Sequence, residues 1–268
     1  MTSTADVSET AEDAWEKVAR IGYVVSGLVH FLIGVLALQL ALGDTDKQAD
    51  QTGALSALAK EPFGATVLWI SVVGFVALGA WQLAKAAHVG QAQHTDSSTT
   101  GDRLKAIGRA VVYFALAAAA FSWTSGAGSS SSNQTQGLTA DLLKVPAGQL
   151  LVGAIGLAII GVGIYHVVKG WREKFLEDLT RLPSGHAGRG TRWAGKIGYV
   201  AKGIALGIVG GLFITAAVQH DASEASGLDG AMHTLKESPA GTVLLVLVAI
   251  GLMAFGVYCF VRARYGRL

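Results

Sequence analysis

The chain has 268 residues, of which 51% are hydrophobic and only 15% charged, with a formal net charge of +2 and a mean hydropathy of +0.45. A soluble domain carries about a quarter charged residues, so an ordinary water-soluble globule is excluded. The net charge says little about partners, because it is spread over two sides of a membrane, and no nucleic-acid partner is expected; the single cysteine, Cys259, leaves no intramolecular disulfide to form.

Residues 1–18 read as a cytoplasmic tail. The opening MTSTADVSETAEDAWEKVAR is acidic where a secretory signal would be basic; 1–10 are expected to be disordered and 11–20 to form a short helix running into the first apolar block. Six such blocks follow, at 21–42, 64–84, 107–123, 148–168, 197–218 and 241–261. About 20 helical residues span about 30 Å of hydrocarbon, and backbone in lipid must pair internally, so each block is predicted to be a transmembrane helix. Four blocks contain no Asp, Glu, Lys or Arg; the third and fifth hold one cation each, Arg109 and Lys202. Between them, GQAQHTDSSTTGD (90–102) and GAGSSSSNQTQG (126–137) read as flexible linkers. In WREKFLEDLTRL (171–182), Trp171, Phe175 and Leu179 share a face, which predicts a short amphipathic helix on the inner leaflet.

Seventeen of the 21 Lys and Arg fall in the N-terminal tail, in 85–109, in 169–202 or after 261, and the other four, Lys47, Lys60, Lys144 and Lys236, in the alternate loops. Positive residues stay on the cytoplasmic side, which places both termini inside and predicts a plasma-membrane protein.

The blocks are also repeated. Pro62, Pro146 and Pro239 are each followed two residues later by Gly64, Gly148 and Gly241. Fifteen further on come Gly79, Gly163 and Gly256, then Trp81, Tyr165 and Tyr258, then Lys85, Lys169 and Arg262. A fixed internal spacing in three copies defines the unit as two spans with an outer connection. Proline at a helix start loses no hydrogen bond, so each is predicted to open an even-numbered span. Lys60, Lys144 and Lys236 then snorkel at the outer interface, with a functional ring of charge as the alternative. The expected fold is all-α: six transmembrane helices from three parallel two-helix repeats in a pseudo-threefold bundle. The repeats occupy 19–86, 104–170 and 193–264, with linkers at 87–103 and 171–192 and a cytoplasmic end at 265–268.

ARIGYVVSGLVHFLIGVLAL at the first span, PFG at the second, the aromatic–cation pair closing it and the threefold repetition resemble the bacterial, mainly actinobacterial, membrane family catalogued as domain of unknown function 1206. The resemblance covers about 19–264 and implies fold and location, with no activity attached. The second copy, LKAIGRAVVYFALAA, departs from it by lacking the glycine found at Gly27 and Gly203.

Ionisable groups inside spans are the functional candidates. Ser26, Arg109 and Lys202 take equivalent places one turn inside the odd-numbered spans, and the expectation is snorkelling to the cytoplasmic headgroups; a cationic constriction that attracts an anion is the alternative. His30 lies deeper and is expected to hydrogen-bond between helices. His166 and His220 sit at different depths, so no haem pair forms, and no metal spacing appears; no cofactor or catalytic constellation is expected. Spans without acidic residues argue against a proton-coupled pump. Gly203, Gly207 and Gly211 form a small-residue stripe that lets helices approach closely. The function expected is a structural or accessory membrane protein that binds lipid or other membrane proteins; the alternative is a small-solute or anion transporter along the repeat axis.

Overall fold

The structure of the protein is a computed structural model that describes residues 4–44, 48–59, 62–88, 98–124 and 130–267. Nine α-helices run through the described residues: α1 (Thr4–Ala41), α2 (Gln51–Ala59), α3 (Gly64–His88), α4 (Ser98–Thr124), α5 (Ser131–Leu143), α6 (Gly148–Trp171), α7 (Gly185–Gln219), α8 (Gly227–Glu237) and α9 (Gly241–Tyr265). Two short 3-10 turns, Lys174–Asp178 and Ala222–Glu224, complete them. Six stretches are long and apolar enough to cross a membrane: Ala19–Ala41, Gly64–Ala87, Arg103–Ser122, Gly148–Trp171, Gly185–Gln219 and Gly241–Tyr265. The protein is an all-α, multi-pass membrane protein, with α2, α5 and α8 connecting the two spans of each repeat.

Three local expectations need correction. Helix α1 begins at Thr4, within the stretch expected to be disordered. Helix α5 begins at Ser131, inside the serine-rich segment read as a linker; tertiary hydrogen bonds to its first turn, described below, overcome a composition poor in apolar side chains. The other linker lies outside the described residues over 90–97, and its end, from Ser98, is already α4.

The chain separates into two compact units. One comprises Met1–Val25, Leu55–Gly128 and Leu268, and the other Ser26–Ala54 and Ser129–Arg267. The first centres on the α3–α4 pair, with Leu55, Leu68 and Ala120 buried together and Trp69 edge-on to Phe121 at 5.9 Å. In the second, α7 packs against both α6 and α9; Leu143, Val152, Val209, Phe213 and Ala216 form one core, and Phe175, Tyr199, Phe255, Tyr258 and Cys259 another.

The prolines do not open the spans. In the second and third copies the even-numbered helices begin at Gly148 and Gly241, two residues later. The Gly148 N–H donates to the Val145 carbonyl at 2.9 Å, and Gly241 N–H to the Ser238 carbonyl at 2.8 Å. With Ala147 at φ 63° and ψ 7° and Ala240 at φ 59° and ψ 22°, each is a type II turn with proline at its second position, where the fixed φ suits it. The glycine is needed for space: a Cβ on Gly148 would fall 1.7 Å from the Leu142 carbonyl oxygen, and one on Gly241 2.1 Å from that of Lys236. Left-handed backbone costs a non-glycine residue about 1 kcal/mol. Ala147→Gly and Ala240→Gly are therefore expected to raise stability by a few tenths of a kcal/mol up to about 1 kcal/mol, read as a higher unfolding midpoint in detergent.

The repeated glycines meet across helix pairs. A Cβ on Gly163 would lie 2.7 Å from the Gly203 carbonyl oxygen, and one on Gly203 2.5 Å from that of Gly163. Gly256 and Gly27 oppose each other in the same way, at 2.6 and 2.9 Å. Seven residues along, Gly156 meets Gly210 at 2.8 Å, and Gly34 meets the Ala249 carbonyl at 2.7 Å. In the remaining pair, Gly79 of α3 faces the Phe114 ring of α4 at 2.9 Å, and the places matching Gly203 and Gly210 hold the buried small residues Ala110 and Ala117. Each even-numbered span thus receives the odd-numbered span of the following copy, the last receiving the first. The predicted stripe is accordingly displaced. Gly203 is in it, but a Cβ on Gly207 or Gly211 would meet nothing within 4 Å. The facing glycines recur at seven, a spacing that keeps one face on its neighbour over two turns; Gly207 contributes its backbone, 3.1 Å from a Cβ built on Gly163, but its own Cβ direction is open.

At one end of the second unit the connections interlock. The Ala49 N–H donates to Asp229 Oδ1 at 2.8 Å, Ser131 N–H to Thr52 Oγ1 at 3.1 Å, Ser132 Oγ to the Ser226 carbonyl at 2.6 Å and Gln136 Nε2 to that of Ser223 at 2.9 Å. Asp50 is fully buried at the centre, accepting from Gly53 N–H at 2.7 Å and from Ser131 Oγ. Burial raises its carboxyl above the ordinary range; the Ser131 and Gly53 hydrogen bonds work against that, and Asp229 adds to it. A raised acid holds its proton more tightly folded than unfolded, so the folded state loses stability as pH rises from the ordinary carboxylate range through the raised value. Acidification across that window is expected to lift the unfolding midpoint of the wild type, and Asp50→Asn to remove that part of the response. An identical pH profile in the variant would show that Asp50 does not titrate with folding.

Candidate intramembrane polar site

Of the residues singled out in the sequence, Lys144 caps α5, Lys236 lies on α8 and Arg109 on α4. Lys60 lies outside the described residues. Lys144 is exposed and pairs with Asp141 at 2.9 Å, Lys236 is half-buried in the last turn of α8, and Arg109 is exposed on α4.

Ser26, His30 and Lys202 come together in the second unit. α1 supplies Ser26 and His30, α7 supplies Tyr199 and Lys202, and α9 supplies Phe255, Tyr258 and Cys259. The Lys202 ammonium lies over the Phe255 ring, 4.3 Å from the centroid. His30 packs on the same ring at 4.7 Å. The expected interhelical hydrogen bond of His30 is instead local, from Nδ1 to the Ser26 carbonyl at 2.8 Å.

His166 of α6 belongs here too, although its position in the sequence pointed to a different depth. It stacks on Tyr199 at 5.7 Å, and Tyr199 meets Phe255 edge-on at 5.0 Å. The ring chain from His30 through Phe255 and Tyr199 to His166 is thus continuous, with Lys202 over Phe255 and Lys169 over Tyr199, 5.2 Å from its centroid. Among the described residues, no group of three or more His, Cys, Asp or Glu is placed to hold a metal.

One end of this cluster is closed by the 171–182 segment, which is not an amphipathic surface helix. Of the three residues on the expected apolar face only Trp171 is exposed, at 70%, while Phe175 is fully buried, stacked on Tyr199 at 5.6 Å and edge-on to Tyr258 at 5.2 Å. Tyr258, whose place in the repeat predicts an interfacial aromatic, is also fully buried and donates its hydroxyl to the Phe175 carbonyl at 2.7 Å. Asp178 binds Lys169 at 2.7 Å and Arg262 at 3.1 Å, the two repeat cations expected at headgroups. The Thr180 N–H donates to the Tyr265 carbonyl at 2.8 Å. The segment is a latched plug. It could not be read from spacing, because Trp171, Phe175 and Leu179 suit a lipid surface and a protein core equally well.

Helix count, repeat spacing and glycine pairing define a multi-pass membrane protein of three two-helix repeats. The chain belongs to the family described as Domain of Unknown Function (DUF1206), whose family model matches residues 21–88, 104–173 and 197–266. It is similar to an uncharacterized protein, YxxB, of Bacillus subtilis (strain 168), with 28% identity over 251 residues that cover 93% of this chain and 90% of that protein. No solved structure matches.

Proposed function

We propose that the protein is a non-catalytic structural or accessory component of the bacterial cell membrane that binds lipid and other membrane proteins, with both termini in the cytoplasm. The observation carrying this reading is the backbone-to-backbone glycine packing of α6 on α7 and of α9 on α1, which devotes those helix faces to each other. Large apolar side chains such as Val111, Leu150, Ile164 and Leu247 point outward, the surface expected of a protein whose partners are lipid or other spans. Affinity purification from native membranes in mild detergent, read by mass spectrometry, tests it. The expected result is a stoichiometric membrane-protein or lipid partner that is lost when Val111 and Val112 on the exposed α4 face are made polar. Anion flux through reconstituted vesicles above the protein-free rate would replace this reading with the transporter.

The orientation rests on the Lys/Arg asymmetry. In a Cys259→Ala background, a membrane-impermeant thiol reagent applied to intact cells is expected to label Ser130→Cys and to spare Ser184→Cys. The opposite pattern would invert the topology.

A further inference from the structure

The α6–α7 pair carries an open groove of about 460 Å³, with Gly153 and the buried Ala217 along it and Leu150, Leu157 and Val218 exposed at its sides. A Cβ on Gly153 would lie 3.7 Å from that of Ala217, an ordinary contact, and would meet nothing else within 4 Å. No neighbouring backbone demands this glycine, unlike Gly148, Gly156 and Gly163. The repeat shows what can stand there. Counted from Gly64 and Gly148, Trp69 holds the place of Gly153; counted from Ala110 and Gly203, Phe121 holds that of Ile214, which also lines the groove. In the α3–α4 pair those two rings meet edge-on at 5.9 Å. The α9–α1 pair has Val246 and Leu38 at these places, so only the second copy presents a bare backbone at this level.

Length and depth identify the occupant. The groove begins at Gln149, one residue inside the start of α6, and reaches Leu157, eight residues on, or about 12 Å. One leaflet's half of the hydrocarbon is about 15 Å deep, so the groove follows the path of a single acyl chain from the headgroup boundary toward the middle of the membrane. A transmembrane helix is about 10–12 Å wide with its side chains, too wide to enter between helices that touch backbone to backbone at Gly156 and Gly210. At the mouth, Gln149 Nε2 donates to the Ala217 carbonyl at 2.7 Å, which fixes the amide, and a primary amide has a second N–H to give. We propose that this groove is a binding site for one acyl chain of a phospholipid, whose ester carbonyl accepts from Gln149. Lipid tails are as apolar as the lining, so dispersion contact and that hydrogen bond hold the chain, with no hydrophobic drive. The site rests on the lipid-binding part of the reading above and gives it a place in the fold.

The test uses the full-length protein in phosphatidylcholine vesicles that include a trace of phosphatidylcholine with a diazirine at the end of one acyl chain. Illumination fixes the probe to whatever it touches, and mass spectrometry of the peptides maps the adducts. The reference is Ile250 of α9, an exposed residue in the same register as Leu157. Adducts at Leu157 and Ile214 are expected to exceed those at Ile250 by about fivefold or more, the worth of one ordinary hydrogen bond in occupancy. Moving the diazirine next to the ester is expected to shift them to Gln149 and Val218. Gly153→Leu fills the groove and is expected to bring Leu157 down to the level of Ile250. Should that variant not purify folded, Gly153→Ala, which has room for its methyl, is expected to lower the adducts in the same direction. Equal labelling of Leu157 and Ile250, adducts indifferent to the position of the diazirine, undiminished labelling in the variants, or a groove shielded by a cross-linked second copy overturns the proposal. None of these outcomes touches the accessory role itself, which anion flux in reconstituted vesicles decides.

Discussion

Gly203→Leu is expected to cost about 3 kcal/mol or more and to leave little folded protein after extraction into detergent. Inserting side-chain volume into a packed interior typically costs about 1–3 kcal/mol when neighbouring side chains can yield. Here they cannot, because the Cβ alone would lie 2.5 Å from the Gly163 carbonyl oxygen and 2.9 Å from the Val167 nitrogen, both backbone atoms of α6. Relief requires the two helices to separate along their length. The control is four residues away: Gly207→Ala adds a methyl where nothing stands within 4 Å and is expected to leave the midpoint within about 0.5 kcal/mol of wild type, as an unobstructed substitution does. Thermal unfolding of the two variants side by side decides the matter. Equal midpoints would mean that α6 and α7 do not meet at Gly203.

Phe175→Ala should open the plug. Removing a fully buried phenylalanine costs about 3–5 kcal/mol in a core, and this ring also stacks on Tyr199 and braces Tyr258. The Asp178 ion pairs and the Thr180 hydrogen bond flank it on the same segment, so the loss is expected to appear as local opening before the spans separate. Cys259 reports it directly. It is the only cysteine in the chain, packs in the same core as Phe175 and is 3% exposed. Alkylation by a small maleimide should be slow in wild type and much faster in Phe175→Ala, with Asp178→Asn intermediate. Equal protection in all three would mean that the segment does not seal the cluster.

Length and hydropathy made the six spans legible, and a Pro-x-Gly at fixed distance from a second glycine made the repeats so, because both signals lie within one segment of chain. What the glycines do was half legible. A spacing of four along α7 suggested the stripe, yet its face is chosen by the partner: Gly163 of α6 lies against the backbone of Gly203 and Gly207 and Gly156 against Gly210, while the Cβ directions of Gly207 and Gly211 are open. The polar site was least legible. His30, His166 and Lys202 come from three spans, and whether they converge depends on helix rotation, which weakly amphipathic helices do not encode. Lys202 looked like a snorkelling residue because a four-carbon stem reaches the headgroups from that depth; the aromatic rings on α9 hold it instead. Tyr258, Lys169 and Arg262 read as interfacial for the same reason, until Phe175 and Asp178 fold back on them.

The pairing of Gly256 with Gly27 bears on how many copies such a chain can hold. Where repeats stack in a line, each added unit extends the array and the two ends need specialised caps. Here the final copy hands its even-numbered span to the odd-numbered span of the first. A further copy added after the third would have to take α1 from α9, breaking the Gly256–Gly27 contact before a new one could form. In this chain the end of the last copy is a packed helix pair and not an open edge, so adding a repeat there disturbs existing packing.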